Sequence, residues 1–196
     1  MTKNGSKSIV PRGVRLLAWA QLPIAALAVG AFVFVGAKIE PLIQRERDLQ
    51  QQITRSQIQI KQYQSQIKEL RESVRQAREG INLFHEGEYG AAVQSYDEAL
   101  KIDPQNAYIQ NLKGYALFKQ KRFKEAIDAL EKSVQADPQY AWGYFDLART
   151  YCADKQFQQA VVAGERAIKL RPEMRDAMRS DAEFQRLCKP ILPKLK

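Results

Sequence analysis

Three stretches of this 196-residue chain align without a gap: GINLFHEGEYGAAVQSYDEALKIDP (80–104), GYALFKQKRFKEAIDALEKSVQADP (114–138) and ARTYCADKQFQQAVVAGERAIKLRP (148–172). Their closing prolines, Pro104, Pro138 and Pro172, stand thirty-four residues apart twice over. Gly80, Gly114 and Ala148 open them, and Tyr89, Phe123 and Phe157 share one internal position. Ala92, Ala126 and Ala160 share a second, and Ala99, Ser133 and Ala167 a third. Small residues at these points let two antiparallel helices approach closely while the aromatic wedges between them. Each proline ends one helix before the next pair begins. A fixed period of this length marks a solenoid of helix pairs, so the expected fold is all-α.

In those shared positions the three units resemble tetratricopeptide repeats (TPRs), at 73–106, 107–140 and 141–174. There are two departures: Ala148 replaces the usual glycine, and Gly164 stands where Tyr96 and Leu130 supply a large side chain. A repeat array must hide its last apolar face. EMRDAMRSDAEFQRLC (173–188) places Met174, Ala177, Met178, Phe184 and Leu187 at near-helical spacing, so residues 175–196 read as a capping helix and C-terminal tail.

The resemblance implies a scaffold that binds a peptide or protein against the first helix of each pair. On the family's pattern the inward residues are Ala77, Ile81, Phe84 and His85 in the first unit. The second unit offers Tyr108, Asn111, Tyr115, Phe118 and Lys119, and the third Trp142, Phe145, Arg149 and Cys152. Aromatic rings give large contact area at low entropy cost. Asn111 suits a peptide backbone, and Lys119 or Arg149 an acidic group. The competing reading is that some of these rings only fill space between units. Chaperone-binding TPRs read a terminal carboxylate with a clamp of basic residues and asparagine. Here the first-unit positions are Ala77 and Ile81, which disfavours that role.

Upstream, Leu16 to Ala37 carries no charge and is bracketed by Arg15 and Lys38. As a helix it reaches about 33 Å, enough for a bilayer's hydrocarbon core. A basic tail (1–15), a transmembrane signal anchor (16–37) and a stalk (38–72) are therefore expected. The alternatives are a cleaved secretory signal, whose apolar core is usually shorter, and a buried soluble helix. In the stalk, Pro41 suits the first turn of a new helix. Ile53, Ile60, Ile67 and Val74 form one heptad set; Leu42, Leu49, Ser56, Tyr63 and Leu70 form the other. β-Branched residues at a and leucines at d favour a parallel two-stranded coil, although Glu46 and Ser56 depart from the ideal. The coiled-coil seam is thus expected at Leu49, Ile53, Ile60, Tyr63, Ile67 and Leu70, within a homo-oligomer. The alternative is one amphipathic helix folded back on its own protein. The stalk is expected to run directly into the first repeat, coupling the two rigidly.

The formal net charge is +9. Residues 79–196 hold eighteen basic and seventeen acidic side chains, so the excess lies outside the repeats and no nucleic-acid partner is expected. One histidine, His85, and two cysteines, Cys152 and Cys188, give no metal site. The phosphate-loop, dinucleotide and nucleophile-elbow patterns are missing. No enzyme activity and no cofactor are expected. The cysteines read either as independent small hydrophobes or, if the repeats face an oxidising compartment, as a pair joined when the cap folds over the third unit.

The combined expectation is a single-pass, membrane-anchored TPR adaptor that helps to assemble a membrane or envelope complex. The alternative is a structural protein acting through its coil and membrane helix. Basic residues before the apolar stretch place the N-terminus inside. This matches a bacterial inner membrane with periplasmic repeats; cytoplasm-facing repeats are the alternative.

Overall fold

The packing of the repeats follows from where side chains are missing. A Cβ placed on Gly80 would lie 2.6 Å from Tyr96 Cε1, and one on Gly114 would lie 2.5 Å from Leu130 Cγ. Each glycine therefore admits a large side chain from the second helix of its own pair. Ala92, Ala99, Ala126, Ala160 and Ala167 are fully buried between helices. Ser73 donates to the Ala99 carbonyl (3.0 Å) and Ser133 to the Ala107 carbonyl (2.7 Å), tying first and second helices at equivalent points.

The structure, a computed structural model, describes residues 12–195, with side chains from residue 26 onward. Among the described residues every regular element is helical. They are α1 (Arg12–His85), α2 (Tyr89–Ile102), α3 (Ala107–Lys119), α4 (Phe123–Ala136), α5 (Ala141–Ala153), α6 (Phe157–Leu170), α7 (Met174–Ser180) and α8 (Ala182–Cys188), then a 3-10 turn at Leu192–Lys194. The tetratricopeptide-like pairs are the end of α1 with α2, α3 with α4, and α5 with α6. Within each pair the chain reverses through one left-handed residue: Gly87, Lys121 or Lys155. These again stand thirty-four apart, and only the first is glycine. Asn106 caps α3 by accepting from the Ile109 amide at 3.0 Å.

Compact units divide the chain between Gln62 and Tyr63. In Met1–Gln62, α1 is helical from Arg12 onward; residues 1–11 of the expected basic tail lie outside the described residues. Pro41 does not open a new helix. The backbone stays helical through it, although proline has no N–H to donate to the Ala37 carbonyl. α1 contains a stretch apolar enough, by length and composition, to cross a membrane, and none of that stretch is buried in the protein.

Tyr63–Lys196 holds the repeats around two apolar clusters. One joins the first two pairs through Tyr96, Leu117 and Phe118. The other joins the third pair to the C-terminal segment through Phe145, Met178, Phe184 and Ile191. Where the apolar spacing of 173–188 suggests one capping helix, the structure has two. Asp181 leaves helical geometry and caps α8 by accepting from the Phe184 amide at 2.5 Å. The hole at Gly164 is filled from outside its pair: Leu195 Cδ2 and Met178 Cε come within 2.8 and 3.7 Å of where its Cβ would be.

Candidate functional site

The expected groove residues lie along the end of α1, α3 and α5, and many of them touch. Phe84 meets Tyr115 with ring centroids 5.1 Å apart, and Tyr115 stacks on Phe118 at 5.9 Å. Trp142 meets the edge of Phe145 at 5.4 Å. The Arg149 guanidinium lies 4.4 Å from the Tyr115 centroid and 5.2 Å from that of Phe145. Lys119 Nζ sits 5.2 Å from the Tyr115 centroid. Such contacts hold a cation against an electron-rich face.

Exposure divides the set. Tyr108 and Trp142 are 52% and 42% exposed, and His85 is also exposed. Ile81, Phe84, Tyr115 and Lys119 are half-buried; Ala77, Asn111, Phe118, Phe145, Arg149 and Cys152 are buried. The cover over the third-repeat end of this face is α8. Phe184 stacks on Phe145 with centroids 5.3 Å apart and is wholly buried. Lys119 donates to Glu183 at 2.9 Å, and Arg149 donates to Asp181 at 3.3 Å. Cys152 and Cys188 are joined as a disulfide, with Cα atoms 5.2 Å apart. The sequence left two readings of these cysteines open; the fold brings them together because α8 lies along α5.

Beneath α8 runs a buried polar chain. Arg149 pairs with Asp146 three residues before it, and Asn111 donates to Asp146 at 2.9 Å. Burial pushes the Asp146 carboxyl up, against the pull of Arg149 and the Asn111 amide. Burial is the largest single influence on Lys119 and works against its charge, but the hydrogen bond it donates to Glu183 and the neighbouring Tyr115 together outweigh it, and the ammonium pKa is raised. Asp146, Asp181 and Glu183 were not among the expected site residues. Their signal was available: an acidic residue one turn before Arg149, and two more at the start of an amphipathic segment.

Among the described residues no cluster of histidine, cysteine or carboxylates has the makings of a metal site. The ionisable groups of this face are paired: Lys119 with Glu183, and Arg149 with Asp146 and Asp181.

Two tetratricopeptide repeat family models match, over residues 78–141 and 117–179, together just over half of the chain. The chain belongs to the tetratricopeptide repeat family. Solved structures agree in fold. The first TPR of Spaghetti (RPAP3) bound to HSP90 peptide SRMEEVD has 21% identity and a TM-score of 0.55, covering 64% of this chain and 94% of that one. The Arabidopsis OM64 TPR domain has 17% identity and a TM-score of 0.55, covering 64% and 98%. The TPR2B-domain:pHsp70-complex of yeast Sti1 has 24% identity and a TM-score of 0.54, covering 63% and 98%. No curated protein matches.

Proposed function

We propose that this chain is a membrane-anchored TPR adaptor whose concave aromatic face binds a protein or peptide partner. The observation that carries the reading is the pair Tyr108 and Trp142, large rings left open to solvent at the starts of α3 and α5. Interfaces favour such amphipathic rings as anchors. Two of the similar TPR structures are complexes, one with an HSP90 peptide and one with pHsp70, which supports the same use of the face. The ligand differs in kind from a chaperone's terminal carboxylate, because Lys119 and Arg149 are already engaged by Glu183 and Asp181.

The apolar stretch of α1 is the anchor, and an oxidising compartment suits Cys152–Cys188. Together they favour a bacterial inner-membrane protein with periplasmic repeats. The stripe of Leu49, Ile53, Ile60, Tyr63, Ile67 and Leu70 is exposed in the single chain, which favours a parallel homo-oligomer through the stalk. That stripe also favours the second reading, a structural oligomerisation protein.

The two readings part on Tyr108→Ala/Trp142→Ala, a variant confined to exposed rings. Proteins co-purifying with the full chain from membranes are compared at equal abundance and equal melting temperature. The adaptor reading expects a partner to be lost. Identical partner sets would move function to the stalk and anchor.

A further inference from the structure

α8 does more than close the array. A cap stacked as the next layer would touch only the third pair, because solenoid units contact their neighbours. α7 does this, packing on α5 and α6. α8 lies instead along α5 and reaches back to the second repeat, where Glu183 meets Lys119 of α3. Its contacts have the chemistry of a ligand. Two carboxylates, Asp181 and Glu183, answer the two cations of the inner face, and the Phe184 ring fills the space over Phe145. Asn111 Oδ1 and Arg149 Nε remain buried without a partner beneath it.

We propose that α8 is an intramolecular occupant of a second docking surface, held closed by Cys152–Cys188. When a dithiol reductant gives two electrons and two protons to the cysteine sulfurs and itself closes to a disulfide, the surface takes an acidic amphipathic helix from a partner protein, with carboxylates two residues apart followed at once by an aromatic side chain. This rests on reading the concave face as a binding surface. The disulfide makes the competition one-sided. Apart from the disulfide, this seven-residue helix is held by Phe184, Leu187 and the ion pairs of Asp181 and Glu183, contacts that a competitor can exchange for its own, whereas a covalently joined helix does not leave. Both sulfurs are buried, so a reductant reaches the bond only when the α8 end of the array opens.

The probe is a fluorescent synthetic peptide of residues 180–190 carrying Cys188→Ser, titrated by anisotropy into the full chain in detergent. The oxidised wild type is expected not to bind it. Cys152→Ala/Cys188→Ala is expected to bind at least tenfold more tightly, and more tightly again with Phe184→Ala added. A probe that also carries Glu183→Lys is expected to lose that binding. If the double variant fails to fold, the wild type refolded in dithiothreitol gives the same comparison. There the reagent's two thiols transfer two electrons and two protons to the cysteine sulfurs and close into a cyclic disulfide. Equal binding, or equal failure to bind, by folded oxidised and unlocked chains overturns the proposal. So does undiminished binding of the Glu183→Lys probe, or a disulfide-linked dimer showing that α8 seats in a second copy. Partner capture at Tyr108 and Trp142 is read on the oxidised chain. Its loss alone removes the adaptor reading, and loss of probe binding alone removes this one.

Discussion

Phe184 of α8 stacks on Phe145 of α5 at 5.3 Å between centroids, with planes inclined by 27°. If the concave face binds a partner as proposed, this contact covers part of it with the chain's own α8. The ion pairs beside it, Lys119–Glu183 and Arg149–Asp181, carry the same message in charge.

Reducing Cys152–Cys188 removes a link across thirty-six residues. Loop-closure entropy at that length corresponds to about 3–4 kcal/mol. The melting temperature of the full chain is expected to fall in reductant, with α8 amides the first to gain hydrogen exchange. Unchanged exchange at residues 182–188 would show that the bond holds nothing there.

Gly114→Ala is expected to cost about 1–3 kcal/mol, because the new methyl meets the branched Cγ of Leu130 at 2.5 Å. Gly164→Ala meets only the tip of Leu195 at 2.8 Å and is expected to be nearly neutral. Denaturant titration of the two variants checks the order; equal midpoints would contradict the packing described.

The Tyr96 hydroxyl is buried, and burial raises its pKa above the ordinary value of 10.0. An acid whose pKa is higher in the folded state holds its proton there after the unfolded chain has lost it. Stability is therefore complete below pH 10 and falls as pH rises beyond it. Melting curves from pH 8 to 11 are expected to show this fall, and Tyr96→Phe to reduce it. A slope unaffected by Tyr96→Phe would place the titrating group elsewhere.

The fold was legible in the sequence because its determinants repeat. Gly80, Gly114 and the buried alanines recur at one period, and the structure uses each where two helices touch. The turn was half legible. Gly87 announces a left-handed residue, but Lys121 and Lys155 adopt the same conformation with side chains that do not signal it. Gly164 pointed to loose packing in the third unit, whereas Leu195 and Met178, distant in sequence, fill the space. The site was less legible. The resemblance to the family's pattern marked Phe145, Asn111 and Arg149 as inward-facing. Their burial depends on the break at Asp181, which turns α8 back over α5, and a periodic apolar pattern does not show such a break.

Ile60→Lys/Ile67→Lys places charges on the exposed α1 stripe, where the two side chains are 54% and 51% exposed. Light scattering corrected for detergent is expected to give a multiple of 22.4 kDa for the wild type and a lower multiple for the variant. A monomeric wild type would remove the coiled-coil proposal.

The most direct test of partner binding places a photo-crosslinking amino acid at Trp142 on the open rim, with Val162, exposed on α6, as the control position. Each full-length variant is irradiated in cells, and adducts are identified by mass. The account predicts a discrete protein adduct from position 142 that is missing from position 162. No adduct at 142, or the same adducts from both positions, would contradict it.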